Sequence, residues 1–414
     1  MLEQIEGSLG VAKAVALCRP GVVCAYPISP QTHIVENVGK FVKNGTLKDC
    51  DFLNVESEFS AISVAIGSEV GGARTYTATA SQGLLYMTEG VYSASGLGLP
   101  IVMTVASRAI GGPINIWNDH SDSLSQRDSG WLQLFCESNQ DAVDTHIMAF
   151  KIAEEVGLPV MVCMDGFVLT HAFERLDIPS QETVDKFLPE YQPREYLTPK
   201  EPVSIGAMVG PEAFTEVRFL QQRKMAKALK VIEKVTKEYR DLTGSKSGGL
   251  LDCYNCENAD LKLVIMGSTV GTAKDEIDRL KAEGINVGII SLKSFRPFPY
   301  EAMAKAIGDT KKVICLERAF SFGARGIVCP EVKRAMEGKN CDVKTVVAGL
   351  GGRPIFGTTI RGIVKDALAD KFTEEFTWFD VNADVLNSYT DKTEGVTFKN
   401  GPIAQSVLES SVKD

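Results

Sequence analysis

The stretch GVVCAYPISPQTHIVENV, residues 21–38, decides how the chain is read. Gly21–Ala25 is a short apolar run containing β-branched Val22 and Val23, the pattern of a parallel strand buried on both faces. Pro27 and Pro30 then end the strand and stiffen a loop. From Gln31 onward the spacing changes, and Ile34, Val35, Val38 and Val42 fall on one side of a helix. Strand, rigid loop and amphipathic helix in immediate succession are the first half of a βαβ unit.

Outward from this stretch the same rhythm repeats. Asp51–Val55, Thr75–Thr79, Pro100–Val105 and Leu158–Met164 read as further buried parallel strands. Glu58–Val70 and Ala142–Glu155 read as helices between them. Residues 1–185 are therefore expected to form a doubly wound α/β domain with a parallel sheet. Between Pro179 and Pro211 six prolines and many charges interrupt regular structure. One long helix is expected over Glu212–Thr243, stopped by Gly244. Its apolar stripe, from Phe214 to Tyr239, reads as a packing face between domains or subunits, and 186–257 forms a linker region. The alternation resumes with strands at Leu261–Met266, Asn286–Leu292, Lys312–Glu317 and Val343–Val347. Helices at Ala273–Ala282, Glu301–Ile307 and Gly326–Met336 complete a second, smaller α/β domain over 258–370. The tail, 371–414, has no readable pattern.

Composition narrows the function classes. A chain of 414 residues is long for one core, and 44% hydrophobic with 23% charged residues excludes a mainly disordered chain. A net charge of −9 argues against nucleic-acid binding, which needs a basic footprint. The most apolar stretch, Gly157–Leu169, is too short for a membrane span and carries Asp165. Glu3 and Glu6 stand where a signal peptide needs basic and then apolar residues, so a cytoplasmic location with ten reduced cysteines is expected. Only Cys253 and Cys256 form a Cys-x-x-Cys pair; with no second pair, no metal site is expected, and the pair reads as a surface loop facing another subunit. His33, His120, His146 and His171 show no ligand-like spacing either.

Three clusters follow the C-terminal ends of expected strands, where open α/β sheets bind ligands. In Cys24–Thr32 the hydroxyls of Ser29 and Thr32 either cap the next helix or face a ligand. In Asn54–Ala61, Glu58 opens a helix of small apolar residues; its carboxylate either serves the helix dipole or is chemically used. In Ala106–Asp122, Arg108 directly follows a buried strand; it either pairs with an internal acid or forks two hydrogen bonds to an organic acid.

Taken together, these clusters resemble the 2-oxoacid:acceptor oxidoreductase family, which includes pyruvate:ferredoxin oxidoreductase. Tyr26–Thr32 is similar to its Tyr-Pro-Ile-Thr-Pro loop, Val55–Ala61 to its Glu-Ser-Glu segment, and Thr79–Gly83 to its Thr-Ala-Ser-Gln-Gly turn. Arg108–Asp122, continuing into Gln126–Trp131, resembles its Arg-Ala-Leu-Ser-Ala-Pro-Ile-Asn-Ile-Trp stretch. Gly267–Lys274, Phe295–Pro299, Ser321–Gly323 and Gly349–Arg353 resemble later landmarks in order.

The resemblance implies an alpha-type subunit: a thiamine-diphosphate pyrimidine-type domain followed by a transketolase-C-terminal-like domain. It implies that Glu58 hydrogen-bonds the aminopyrimidine ring of thiamine diphosphate, with Tyr26 and Pro27 against the cofactor, while Ser29 and Arg108 bind the 2-oxoacid. The acid, pyruvate by default, would lose carbon dioxide and leave as an acyl group on coenzyme A. A beta-type subunit would hold the diphosphate and magnesium on a Gly-Asp-Gly motif, and a ferredoxin-like subunit would hold the 4Fe–4S clusters, alongside a gamma-type subunit. Neither the Gly-Asp-Gly motif nor a ferredoxin-like cysteine run occurs in this chain. The missing Gly-Asp-Gly separates this reading from a non-redox transketolase-type enzyme; Glu58, Ser29 and Arg108 together separate it from a non-catalytic assembly subunit. Two positions depart from the family. Ser29 replaces the commoner threonine, and Gly111-Gly112 stands where Ser-Ala is usual. The lost bulk at Gly111 and Gly112 is expected to open room for a larger 2-oxoacid such as phenylglyoxylate.

Overall fold

The computed structural model describes residues 2–384, so part of the C-terminal tail lies outside the described residues. A seven-stranded sheet runs in the spatial order Ser294–Arg296, Leu132–Phe135, Val160–Asp165, Val102–Ser107, Thr75–Thr79, Val22–Ala25 and Asp51–Asn54. All neighbours are parallel except Ser294–Arg296, which pairs antiparallel with Leu132–Phe135. The central strands Thr75–Thr79, Val102–Ser107 and Val160–Asp165 are buried throughout, as expected of strands covered by helices on both faces.

A second sheet runs Phe376–Trp378, Asp342–Val347, Lys312–Glu317, Leu261–Ile265, Val287–Leu292 and Leu251–Tyr254, the last antiparallel. A small antiparallel pair, Leu2–Glu6 with Phe173–Asp177, completes the strands. The chain is thus α/β with two mainly parallel sheets. Among the described residues no helix is long and apolar enough to cross a membrane.

Helix boundaries follow local chemistry. Glu58–Val70 starts where the Ser57 hydroxyl accepts the Ser60 amide at 3.2 Å. Asn139–Val156 starts the same way, with Ser138 accepting from Asp141, and stops at Gly157, whose positive φ of 67° suits glycine. Phe214–Thr243 is the long helix, ending at Gly244.

Some expectations need correction. Asp51–Asn54 is the sheet's last strand and mostly exposed, not buried. The Glu212–Thr243 stripe is buried only in its C-terminal half, through Ala228, Val231, Ile232, Val235 and Tyr239; Phe214, Val217 and Leu220 are exposed. The helix expected from Gly326 begins at Cys329, because Ile327, Val328 and Cys329 donate their amides to the buried Glu317 carboxylate. Cys253 lies in the edge strand Leu251–Tyr254, not in a loop.

One buried carboxylate joins the sheets. Asp165, at the end of its strand in the first sheet, accepts from Arg318 Nη1 at 2.8 Å and from the Ser268 amide at 2.9 Å. It also lies 2.8 Å from His120 Nε2. Ser268 and Arg318 follow strands of the second sheet, so the C-terminal ends of both sheets meet here. Burial alone would raise this carboxyl, but Arg318 and His120 beside it hold it well below the usual carboxylate range.

Candidate active site

Strand order locates the site. From Val22–Ala25 the chain moves to Asp51–Asn54 on one side and then to Thr75–Thr79 on the other. Ligands of open α/β sheets sit at such a switch, outside the carboxyl ends of the strands. The three connections there are Tyr26–Gln31, Val55–Ser57 and the single residue Ala80, ahead of the helix Ser81–Tyr86. Gln31 bridges the crevice: its Nε2 donates to Tyr26 O at 3.1 Å and Ala78 O at 2.8 Å.

Glu58 is buried, 8% exposed, at the first turn of its helix. It faces Gly83, where an added Cβ would come within 2.8 Å of Glu58 Oε1 and 2.5 Å of Thr79 Oγ1. Only glycine leaves the carboxylate that space. Thr79 Oγ1 and Gln31 Oε1 are buried without a hydrogen-bond partner among the described residues. Buried polar atoms are normally satisfied, so these two await one. A buried carboxylate packed against a glycine, together with two unpaired buried oxygens, fits an aminopyrimidine, which offers N–H donors.

Arg108 is held by its surroundings, and not by an internal acid. Its Nη1 donates to Ser29 O at 2.8 Å, Nε to Asn115 O at 3.2 Å, and Nη2 to Gln82 Oε1 at the long distance of 3.4 Å. One N–H on each terminal nitrogen is left over, since a guanidinium has five. The structure therefore brings Ser29 and Arg108 together, through the Ser29 carbonyl, with the Ser29 side chain exposed. Tyr26 and Pro27 are exposed on the same loop.

Asp122, fully buried, organises the loops. Its Oδ2 accepts the amides of Ser81 at 2.8 Å and Arg108 at 2.9 Å, and Oδ1 accepts that of Ser123. Burial pushes its carboxyl up to about 6, against the pull of these three amides. Ser81 adopts a positive φ of 49°, uncommon outside glycine, and its hydroxyl donates to Ala109 O. Asp122 thus fixes the Thr79–Gly83 turn against the start of the Arg108 loop.

The space expected at Gly111 is occupied. An added Cβ there would fall 2.0 Å from Gln82 Nε2, so the missing side chain makes room for Gln82. Gly112 has nothing within 4 Å of its Cβ position but a φ of 130°, a conformation that glycine tolerates. Landmarks of the second half close over this loop. Asn115 Nδ2 donates to Gly351 O at 3.1 Å, Asp119 Oδ2 accepts the Gly351 amide, and Gly352 packs under Trp117.

Sequence reasoning placed Glu58, Ser29 and Arg108 at strand ends but missed Gln82, Asp122 and Asp165 as organisers. Asp122 carried no distinguishing signal: it stands in the polar run Asn118–Asp128, where an acid reads as solvent-facing. His146 is a core residue, with Thr104 Oγ1 and Ala142 O each at 2.6 Å. The histidines, without ligand-like spacing in the sequence, are not all apart in space, since His33 and His171 lie with rings 4.7 Å apart.

Comparison with known proteins identifies the family. The family model described as "Pyruvate flavodoxin/ferredoxin oxidoreductase, thiamine diP-bdg" matches residues 13–237, and "Pyruvate:ferredoxin oxidoreductase core domain II" matches 259–360. Pyruvate synthase subunit PorA of Methanosarcina barkeri is 44% identical, covering 87% of this chain and 91% of that protein. The same subunit of Methanocaldococcus jannaschii is 46% identical, covering 87% and 93%. Ketoisovalerate oxidoreductase subunit VorA of Pyrococcus horikoshii is 38% identical, covering 91% and 97%.

Among solved structures, a 2-oxoglutarate:ferredoxin oxidoreductase from Magnetococcus marinus aligns with a TM-score of 0.68 at 22% identity, over 89% of this chain and 65% of that one. A split gene transketolase aligns at 0.53 and 14% identity, over 89% and 99%; both likenesses concern the fold. With both halves matched in order and relatives above 40% identity along most of its length, the chain belongs to the pyruvate:ferredoxin oxidoreductase family of 2-oxoacid oxidoreductases.

Proposed function

We propose that this chain is the alpha-type subunit of a thiamine-diphosphate-dependent 2-oxoacid oxidoreductase, with pyruvate as its substrate, active only when partner subunits complete the site. Residues 1–185 supply the pyrimidine-side domain, 186–257 the linker and long helix, and 258–370 the transketolase-C-terminal-like domain that braces it. The observation that carries the reading is Glu58: a buried carboxylate packed against Gly83 at the switch point, where no larger residue would fit. Apolar side chains near that mouth are left exposed, among them Tyr26, Phe59, Tyr86, Ile114 and Trp117, with Phe59 and Tyr86 6.1 Å apart. Exposed apolar groups gathered near a site suit coverage by another subunit. A beta-type subunit bringing magnesium and the diphosphate site is the partner that fits, with a gamma-type subunit and a ferredoxin-like subunit carrying 4Fe–4S clusters.

When bound, thiamine diphosphate supplies the carbanion chemistry that releases carbon dioxide from the 2-oxoacid. The chain's part is orientation and one proton. Glu58 would hold a proton against the pyrimidine ring nitrogen. The two spare N–H groups of Arg108 hold the substrate carboxylate, and the Ser29 hydroxyl beside it meets the keto oxygen. Gly111 gives Gln82 the room to steady Arg108, and Gly112 the turn that closes the loop. Coenzyme A would accept the acyl group, and a ferredoxin-like partner subunit would supply the electron acceptor.

Calorimetric titration with thiamine diphosphate and magnesium tests the division of labour. The isolated chain should show no tight binding, while the complex with its co-purified partners should bind and turn over pyruvate. Micromolar binding, or turnover, by the isolated chain would overturn the reading.

A further inference from the structure

Three ligand-type side chains from distant parts of the sequence meet near the Tyr26–Thr32 loop. Glu6 ends the strand Leu2–Glu6, His33 is the second residue of the helix Thr32–Lys43, and His171 closes the turn after Asp165. Glu6 Oε1 lies 2.7 Å from His33 Nδ1, and the rings of His33 and His171 are 4.7 Å apart. One ligating atom from each residue can be chosen so that all three lie within 4.8 Å of one another.

We propose that Glu6, His33 and His171 form a binding site for a divalent transition-metal cation of the zinc type. Two imidazoles and a carboxylate are a three-ligand set that proteins use for zinc, with the fourth position open. Imidazole is also the ligand that favours zinc, copper, nickel and iron over magnesium or calcium.

A second observation supports the assignment. His171 Nδ1 lies 2.7 Å from Thr170 Oγ1, and that hydroxyl also accepts the Phe167 amide at 2.8 Å. The ring is thus fixed by an outer hydrogen bond on one nitrogen, leaving Nε2 for a ligand; metal-binding histidines are oriented in this way. All three residues are half-buried, so a cation can enter.

The site would act on the neighbouring loops. The Phe167 ring lies 4.9 Å from His171 and 5.1 Å from Trp117, and Trp117 O accepts the Ala109 amide at 2.9 Å. A cation drawing Glu6, His33 and His171 together would lock the N-terminal strand, this ring stack and the border of the Arg108 loop into one unit. Its role is a structural clamp, separate from the thiamine chemistry.

The full reduced chain, titrated with Zn²⁺ and with Co²⁺, tests this. Cys253 and Cys256 are competing ligands on the far sheet, and thiolate coordination to cobalt gives an intense near-ultraviolet band that imidazole and carboxylate do not. The expected result is one ion bound without that band, with zinc raising the melting temperature. His33→Ala and His171→Ala should each weaken binding at least about 10-fold, the lower end of what even an outer-shell partner contributes. They should also abolish the thermal shift, whereas Cys253→Ser should change neither. Should an alanine variant fold poorly, Glu6→Gln keeps the shape, removes the charge and should weaken binding likewise. No binding, binding equal in wild type and His33→Ala, or binding lost only in Cys253→Ser would overturn the proposal.

Discussion

Arg318 donates from Nη1 to Asp165 Oδ2 at 2.8 Å, and both side chains are buried, with relative exposures of 6% and 2%. The pair crosses from one sheet to the other at the point where their ligand-facing ends meet. A buried pair adds little over a well-packed apolar one, yet breaking it strands a charge. Arg318→Met should therefore lower stability by about 3–5 kcal/mol in urea unfolding. The acid side carries its own signature. The Asp165 carboxyl is depressed in the folded state, so its stabilisation is present above the unfolded value near 3.9 and fades as pH falls below it. Wild-type stability should hold at pH 5 and drop below about 4, and that acid loss should shrink in Arg318→Met.

Gly83→Ala tests the position of Glu58 without touching its chemistry. The new methyl would press on Thr79 Oγ1, which cannot move far, and on Glu58 Oε1, which can. Glu58 should swing away, and turnover of the complex should fall by roughly 10²- to 10⁴-fold, as it should for Glu58→Gln. Exchange of the thiamine C2 proton, followed by NMR, should slow in both variants while the subunits still assemble. A loss under about threefold in both would make Glu58 a structural carboxylate.

Arg108→Lys keeps the charge but not the fork. A lysine cannot reach Ser29 O, Asn115 O and a substrate carboxylate at once, since these lie in a guanidinium plane. The loss should appear mainly in kcat/KM for the acid, measured by steady-state kinetics of the complex.

Gly111→Ser should act through Gln82. Its Cβ would displace the Gln82 amide and with it the contact to Arg108 Nη2. Combined with Gln82→Ala, the second change should add little, because both remove one interaction. The same kinetics give the substrate result. With that space already filled, wild type should prefer pyruvate to phenylglyoxylate by more than the roughly 10- to 200-fold that one methylene of misfit gives.

Much of the scaffold was legible because burial and local pattern agreed. Thr75–Thr79, Lys312–Glu317 and the Glu58–Val70 helix fall where their residues place them. Asp51–Asn54 misled because β-sheet pattern cannot tell a central strand from an edge one when a run is so short. The helices Ser81–Tyr86 and Thr88–Leu97 were hidden by glycine, serine and threonine, poor formers in isolation. Their glycines serve close packing instead, as Gly90 does against Ile62. At the site, Glu58 and Arg108 stood out by following strands. Gln82 and Asp122 did not, because their importance lies in partners 26 and 41 residues away.

The first sheet has one property set by chain order. Its edge strand Ser294–Arg296 comes from beyond three strands of the second sheet, so nothing in the first 258 residues can finish it. Until residue 296 has left the ribosome, Leu132–Phe135 is an open edge with unpaired amides and carbonyls, ready to pair with another chain. Folding from the N-terminus as the chain emerges therefore leaves this edge open until much of the second sheet has been made. A nascent chain must wait, or be shielded by a chaperone, and a gene split between the two sheets would yield a first half prone to aggregate until the second half arrived.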